Sequence, residues 1–296
     1  MSTTKDYISL HFLVFLWGFT AILGKLVSIP AVEMVFYRTL LSAVGMGVLL
    51  FFKKADFRVS TSDLVKLLLT GFIVAVHWLT FFVSGRISNP STSLVGFATC
   101  SLWAALLEPL VKRTRVQWIE LMLGVVVVGG LYVIFSFDFQ YPMGLFLGVM
   151  SGVTIAIFAV INSLIVKRMD SLVITFYEMI GACITVALFL PYYQQNYSAD
   201  GQLHLDPSLI DWLWIAILAW VCTVYAYAAA IELMKRLSVF IIQLSLNLEP
   251  VYGIILALLI FGETEVMGPA FYIGTLMILG AVLSYPILKS RATGAP

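Results

Sequence analysis

Charged residues are scarce in this chain. Aspartate, glutamate, lysine and arginine make up 11% of its 296 residues, whereas 61% are hydrophobic and the mean hydropathy is +1.02. A soluble globule of this size needs far more charge on its surface. The composition therefore indicates an integral membrane protein surrounded by the lipid bilayer. The net charge is only +1 and no basic run is interleaved with aromatic residues, which argues against nucleic-acid binding.

Motifs of catalysis and metal binding are also absent. The sequence contains no HExxH helix and no GxSxG turn, and the apolar runs contain no closely spaced pair of carboxylates. Its three cysteines, Cys100, Cys183 and Cys222, lie inside apolar runs without CxxC spacing, as inert buried thiols usually do. We therefore predict no metal ion, no cofactor and no enzymatic activity, with an intramembrane enzyme as a remote alternative.

Long polar segments are missing as well, which leaves no room for a soluble domain. An all-α membrane protein with ten transmembrane helices is predicted, because ten apolar runs are long enough to cross a bilayer. The predicted spans are residues 7–27, 32–52, 64–85, 91–111, 117–137, 141–166, 172–193, 210–232, 238–261 and 269–288. Only the connection 194–209 is long.

Basic residues are nearly absent from every second connection. Fourteen lysines and arginines fall on one side of the predicted membrane, only Lys25 and Arg86 fall on the other, and Arg38 lies within a span. The positive-inside rule then predicts that both termini are cytoplasmic and that the loop 194–209 is outside. The location predicted is a cell inner membrane or plasma membrane.

The chain repeats itself at long range. Residues 35–38 (VFYR) match residues 175–178 (TFYE) at an offset of 140, and residues 101–103 match 250–252 at an offset of 149. Residues 1–140 and 141–296 are thus predicted to be two five-helix repeats. Because five is odd, the second repeat enters the membrane from the opposite face, which makes the repeats inverted. Such proteins place their sites near the midplane, between the halves.

An ionisable residue and a helix breaker lie at the centre of the ninth span. Glu249 follows Ser238 by eleven residues, or about 16 Å of helix in a hydrocarbon core of about 30 Å. Pro250 removes a backbone donor there, so the helix is predicted to bend at this hinge. Broken backbone at this depth is tolerated only inside a bundle or along a water-filled cavity, which makes Glu249 a candidate for substrate binding, gating or coupling.

On a continuous ninth helix these polar residues would divide between two faces. Gln243, Asn247, Pro250 and Ile254 would share one face, and Ser238, Ser245, Glu249 and Tyr252 nearly the opposite one. Only one face can line a central cavity. Asn247 and Gln243 are predicted substrate-binding residues because an amide can hydrogen-bond a solute without titrating, whereas Glu249 has the alternative of satisfying broken backbone on a neighbouring helix.

Other polar and aromatic residues within the spans are candidates for the same cavity. The predicted substrate-binding set also includes Trp17, His77, Trp78, Trp103, Asn162, Tyr225 and Tyr227. For each aromatic residue and for His77 the alternative is ordinary packing in the bundle. The repeat mates Arg38 and Glu178 are predicted to gate or couple at the two mouths, with snorkelling towards the interface as the alternative.

A stripe of small residues begins the sixth span. Gly144, Gly148 and Gly152 recur at every fourth position and are followed by Ala156. Such a stripe allows another helix to approach closely. We predict that it packs within the bundle or between protomers, and both monomer and homodimer remain open.

Several short motifs together resemble those of the drug/metabolite transporter superfamily, in particular its ten-helix EamA-type members. They are residues 17–18 (WG), 248–251 (LEPV), 262–263 (GE), and Gly274 with Gly280. The resemblance covers the whole chain, but the first repeat has Ser101 where the family usually has proline. It also has Thr114 in place of the Gly-Glu acid.

The resemblance implies a secondary transporter that works by alternating access, most often an exporter of amino acids or other small metabolites. The same superfamily includes carriers of sugar phosphates and nucleotide sugars, which would require several convergent basic groups. Within the spans only Arg38 is a clear candidate for that role. A small polar metabolite, zwitterionic or cationic, is therefore the predicted substrate, and the proton is the candidate coupling ion.

Overall fold

A computed structural model describes residues 3–137, 141–198, 200–262 and 268–293, and it is 82% helix. The predicted junction of the repeats at 138–140, together with Glu263, lies outside these residues. The described residues form α1 (Thr4–Gly18), α2 (Thr20–Leu26), α3 (Ala31–Phe52), α4 (Thr61–Ile87), α5 (Pro90–Phe97), α6 (Cys100–Lys112), α7 (Trp118–Phe137), α8 (Pro142–Ile165), α9 (Ser171–Asn196), α10 (Leu209–Ala216), a π-helical segment (Ile217–Tyr225), α11 (Ala226–Leu233), α12 (Val239–Leu246), α13 (Glu249–Phe261) and α14 (Pro269–Thr293).

Eight segments in this part of the chain are long and apolar enough to cross a membrane, so the protein is a multi-pass membrane protein. They correspond to the predicted spans one to four and six to nine. The other two predicted spans contain α7 and α14, which pack along each other and have shorter apolar segments, Trp118–Gly130 and Pro269–Tyr285. The count of ten spans therefore stays a prediction.

Two of the spans are broken at equivalent positions. The fourth consists of α5 and α6, and the ninth consists of α12 and α13, with bounds that differ by 149 residues throughout. The bend predicted at Pro250 lies at Asn247–Leu248 instead. Pro250 occupies the first turn of α13, where its missing N–H would have no partner within the helix. Proline thus begins a helix here and does not kink one.

The two breaks are in direct contact at the centre of the bundle. Asn247 Nδ2 donates to Ser101 Oγ at 2.8 Å. Cys100 Sγ lies 3.5 Å from the carbonyl oxygen of Gln243 and 3.8 Å from Asn247 Oδ1. Each break therefore supplies polar partners to the other, as the low-dielectric interior requires.

Repeat mates make matching contacts at opposite ends of the antiparallel pair α3 and α9. The hydroxyl of Tyr37 donates to the carbonyl of Leu205 at 2.7 Å, and that of Tyr177, 140 residues later, donates to the carbonyl of Phe57 at 2.7 Å. Each tyrosine thus fastens the loop that leaves the partner helix. This pattern fits inverted repeats, although the inversion itself stays a prediction.

The Ser-x-x-Asp caps of α4 and α10 provide a second matched pair. Asp63 accepts two hydrogen bonds from Arg168, at 2.6 and 2.8 Å, beyond its role in the cap. Asp211, 148 residues later, accepts from the backbone N–H and the hydroxyl of Ser28 at 2.7 and 2.6 Å. Arg168 and Ser28 are themselves 140 residues apart. The carboxylate pairs with a cation in one of these connections and with uncharged donors in the other.

The glycine stripe of α8 packs inside the bundle against α5 and its neighbours. A Cβ placed on Gly148 would lie 3.1 Å from the Cα of Gly96, and one placed on Gly152 would lie 2.7 Å from Thr99 Oγ1. Backbone meets backbone at this crossing. Of the two alternatives for the stripe, packing within the bundle is the one observed.

Candidate functional site

A cavity lies at the centre of the bundle. It encloses about 70 Å³, room for a handful of water molecules at about 10–15 Å³ each. Its walls come from the first four spans, α8, the eighth span and α12 with the start of α13. The lining residues are Trp17, Thr20, Arg38, His77, Trp78, Phe81, Phe97, Ile155, Phe158, Ala159, Cys222, Tyr227, Ala230, Ile231, Met234, Ile242, Gln243, Leu246 and Glu249.

Arg38 is the cation of the cavity and is buried almost completely, with 2% of its surface exposed. Its Nε donates to Thr223 Oγ1 at 3.1 Å, and its guanidinium carbon lies 4.0 Å from the centre of the Trp78 ring. Stacking on an indole face favours a planar cation and fixes its orientation. The snorkelling alternative for Arg38 is therefore wrong, since the side chain points into the protein.

Glu249 is the carboxyl group of the same cavity and is only 4% exposed. The hydroxyl of Thr20 lies beside it and donates to the carbonyl of Trp17 at 2.7 Å. Among the described residues no basic nitrogen approaches Glu249 within 4.0 Å, so Arg38 and Glu249 share the cavity without forming an ion pair. Both side chains remain available to a third group in the cavity.

Two further polar side chains line the cavity from opposite walls. His77 Nδ1 lies 3.1 Å from the carbonyl oxygen of Ser151 and 2.8 Å from its hydroxyl, which orients the ring against α8. Gln243 Nε2 donates to the carbonyl of Ile155 at 3.0 Å. Both groups tie α8 to the other side of the cavity.

A π-helical segment shapes the wall next to Trp17. The segment spans Ile217–Tyr225, and its Thr223 hydroxyl donates to the carbonyl five residues earlier, at Leu218, over 2.9 Å. The carbonyl of Cys222 accepts from the indole Nε1 of Trp17 at 2.9 Å. π-Helical turns are rare and occur frequently at functional sites. This one positions both the partner of Trp17 and the partner of Arg38.

A second carboxyl group lies behind the cavity wall. Glu178 on α9 is completely buried, and its Oε2 accepts from the hydroxyl of Tyr227 at 2.9 Å. The amide of Asn162 on α8 lies close to the Glu178 carboxyl, but neither of its polar atoms makes a hydrogen bond in this conformation. The ring of Tyr227 therefore faces the cavity, and its hydroxyl group points to Glu178.

Two polar contacts lie outside the lining of the cavity. Arg86 donates through Nη2 to the carbonyl of Val27 and, at 3.1 Å, to that of Ile29, which joins the third span to the loop after α2. Arg236, two residues after the lining residue Met234, pairs with Asp6 at 2.8 Å.

The structure brings together seven of the predicted site residues around the cavity: Trp17, Arg38, His77, Trp78, Tyr227, Gln243 and Glu249. The prediction that only one face of the ninth span lines the cavity is wrong. Gln243 belongs to α12 and Glu249 to α13, and the break between them turns both towards the same space.

The other predicted residues lie elsewhere. Asn247 is engaged with Ser101 in the break, and Trp103 donates to Thr99 Oγ1 at 3.3 Å on its own helix. Tyr225 is 52% exposed on the outer surface of the bundle, because side chains two residues apart on a helix point about 200° apart and Tyr227 faces the cavity. Asn162 and Glu178 are buried behind the wall, so Glu178 neither snorkels nor lies at a mouth.

Sequence reasoning missed two polar cavity residues. Thr20 begins α2 just after a break in the first span, and Cys222 is a cavity residue where an inert buried thiol was predicted. The sequence Trp17-Gly18 signals the break that exposes Thr20, but nothing in the local pattern signals the π-helical segment. Within the described ranges no group of three or more His, Cys, Asp or Glu could hold a metal ion.

Comparison with known proteins places this architecture in a family. The model of the EamA-like transporter family matches residues 5–136 and 142–285, and thus nearly the whole chain. The chain belongs to the EamA-like transporter family. It is therefore a membrane transporter of the drug/metabolite transporter type, and the two matched segments fit a two-repeat organisation.

Among solved proteins, one crystal structure, described only as that of a protein, has a similar fold. The matched region covers 97% of this EamA-like chain and 99% of the other chain, with a TM-score of 0.74 and 14% sequence identity. A match at this identity supports the fold alone. A comparison with curated proteins gave no match.

Proposed function

We propose that this EamA-like protein exports small zwitterionic or cationic metabolites, such as amino acids, by alternating access through the central cavity. One observation carries the proposal: the guanidinium of Arg38 and the carboxyl group of Glu249 face the same aromatic cavity and are not paired with each other. A buried ionised group without an ionic partner is costly, so a zwitterionic or cationic ligand supplies the partner that each group lacks when it is ionised.

The chemistry of the two groups suits the two ends of an amino acid. A guanidinium can bind a carboxylate through two parallel hydrogen bonds, and Glu249 can accept from an ammonium group. The rings of Trp17, Trp78 and Phe158 provide apolar surface for a side chain and π-faces for a cation.

The cavity suits sugar phosphates and nucleotide sugars less well. A phosphate group carries more negative charge than a carboxylate and needs several cationic donors. The lining supplies one guanidinium, and the carboxyl of Glu249 opposes a second negative charge.

Export is part of the proposal because the resemblance to EamA-type transporters most often implies an exporter. Solute would then enter from the predicted cytoplasmic side, where Lys235 and Arg236 follow the lining residue Met234. Localisation in the plasma or inner membrane, coupling to protons and a monomeric or dimeric state are part of the same proposal.

Counterflow in sealed vesicles tests the substrate class. Vesicles containing the purified protein are loaded in turn with amino acids, with the matching amines that lack the carboxylate, and with the matching acids that lack the ammonium group. Sugar phosphates complete the panel. We expect exchange to be fastest for amino acids, and faster exchange of sugar phosphates would refute the proposal.

Two substitutions separate the roles of the charges. Arg38→Gln should abolish the preference for amino acids over the amines that lack a carboxylate. Glu249→Gln should abolish the preference for amino acids over the acids that lack an ammonium group. Glu232→Gln is the matched control, because Glu232 is a partly exposed carboxyl paired with Lys235 at 2.7 Å. If Glu249→Gln transports the whole panel like the wild type, also across a pH gradient, Glu249 has no part in recognition or coupling.

A further inference from the structure

Glu178 is a buried carboxyl group without a cationic partner, and its place behind the cavity wall gives it no role in lining the cavity. Its side chain is completely buried, its Oε2 has one donor in Tyr227, and its Oε1 makes no hydrogen bond. No lysine, arginine or histidine of the described chain lies within 4.0 Å of it. A carboxylate removed from water without a cationic partner is strongly destabilised, so such a group binds a proton or draws in a cation.

The elements packed against α9 determine what Glu178 faces. From α3, Arg38 is turned to Thr223 and the Trp78 ring, and from α4, His77 is turned to Ser151. From α11, Tyr227 alone hydrogen-bonds Glu178. The ionisable groups nearest to Glu178 are therefore committed elsewhere, apart from Tyr227.

Asn162 supplies a neighbour that can serve either form of Glu178. A side-chain amide carries both an acceptor and two donors. When Glu178 is protonated on Oε1, its O–H can donate to Asn162 Oδ1, and when it is ionised, Asn162 Nδ2 can donate to Oε1 after a turn of the amide. Both amide atoms of Asn162 are unbonded in the present conformation, so neither form has to break an existing bond.

We propose that Glu178, Tyr227 and Asn162 form a proton-binding site behind the cavity wall, and that Tyr227 links its protonation to the occupancy of the cavity. Glu178 carries the proton on Oε1 and releases it to become a carboxylate. The Tyr227 ring packs against Phe158 and Trp78, with centroid separations of 5.0 and 6.2 Å, and all three residues line the cavity.

The linkage follows from the single hydrogen bond that Tyr227 makes to Glu178. A solute that displaces the ring removes the hydroxyl from Oε2, and the carboxylate then loses the donor that this oxygen has. Protonation of Glu178 is favoured as a result. Because linkage is reciprocal, protonation of Glu178 changes the affinity of the cavity by the same factor.

Infrared difference spectra of the purified full-length protein, recorded over a pH series, test the site directly. A protonated carboxyl group has a C=O stretching band that an ionised one lacks. We expect one such band to disappear in Glu178→Gln and to remain in the control Glu232→Gln. In Tyr227→Phe the same band should shift in frequency, because one hydrogen bond to the carboxyl is lost.

Either of two results overturns the proposed proton-binding site. The first is a Glu178→Gln spectrum that keeps every protonated-carboxyl band of the wild type. The second applies if Glu178→Gln does not fold: a Tyr227→Phe spectrum identical to that of the wild type refutes the hydrogen bond and the site, because this substitution deletes only a hydroxyl group.

The coupling half rests on the proposed function and is tested with amino acids that the vesicle assay shows to be transported. Their addition should change the Glu178 band in the wild type and leave it unchanged in Tyr227→Phe. If a transported amino acid leaves the Glu178 band of the wild type unchanged, the coupling is refuted. If no amino acid is transported at all, the proposed function is refuted, whereas the proton-binding site is still tested by the spectra of the pH series.

Discussion

The crossing of α5 and α8 predicts a large effect from the addition of a single methyl group. An alanine Cβ at Gly96 would lie 2.8 Å from the Cα and carbonyl carbon of Gly148 and 2.9 Å from the N of Val149. Ordinary contact begins at 3.4 Å, so the helices must separate by about 0.6 Å, and no flexible side chain can yield in their place. Overpacking of this kind costs about 1–3 kcal/mol, partly offset by the gain of about 0.5–1 kcal/mol when alanine replaces glycine in a helix. We expect Gly96→Ala to lose about 1–2 kcal/mol of stability.

Gly85→Ala is the matched control, because its new Cβ meets only Ser93 Cβ, at an ordinary 3.8 Å. Thermal unfolding in detergent can be followed by the reaction of a thiol dye with the native cysteines, of which Cys100 and Cys222 are buried. The Gly96→Ala protein should react at a temperature several degrees below the wild type, and Gly85→Ala at or above it. If Gly96→Ala unfolds no earlier than Gly85→Ala, the close backbone crossing does not exist.

Three further outcomes are expected. Gln202→Cys should be labelled by an impermeant thiol reagent in intact cells and Lys53→Cys should not, because the positive-inside rule puts them on opposite sides; the reverse pattern would invert the topology. Gly148→Leu should lower the yield of monodisperse protein, since its Cβ would already lie 3.1 Å from neighbouring backbone; normal yield with lost transport would instead assign Gly148 to the solute path. Arg38→Lys should fold but exchange amino acids at least tenfold more slowly, because lysine lacks the Nε bonded to Thr223 and the planar face stacked on Trp78. Wild-type exchange would remove Arg38 from recognition.

Much of the architecture could be predicted from the sequence because it depends on the hydropathy of whole segments and on the spacing of repeated motifs. Hydropathy identifies the spans without any knowledge of packing. The offset of 149 residues, found from residues 101–103 and 250–252, is the same offset that relates the helix breaks after Phe97 and Leu246. The two breaks share this offset although the residues that follow them differ, as Ser101 and Pro250 do.

The composition of the cavity was less predictable because it depends on the direction of individual turns. A periodicity of 100° per residue separates Gln243 from Glu249, yet a break of two residues brings them to one wall. The same periodicity places Tyr225 and Tyr227 about 200° apart, so it excludes one of the two from the cavity. The sequence signals a break near Pro250, but its exact place and the π-helical segment Ile217–Tyr225 have no local signal, since they depend on contacts with other helices, such as the Trp17 indole that bonds the Cys222 carbonyl.

The hydrogen bond between Asn247 and Ser101 has a mechanical consequence. It joins two broken helices at their breaks, so the ends of α5, α6, α12 and α13 meet at one place. In the alternating access proposed for this protein, the arms on either side of the membrane can then tilt separately while this contact is kept.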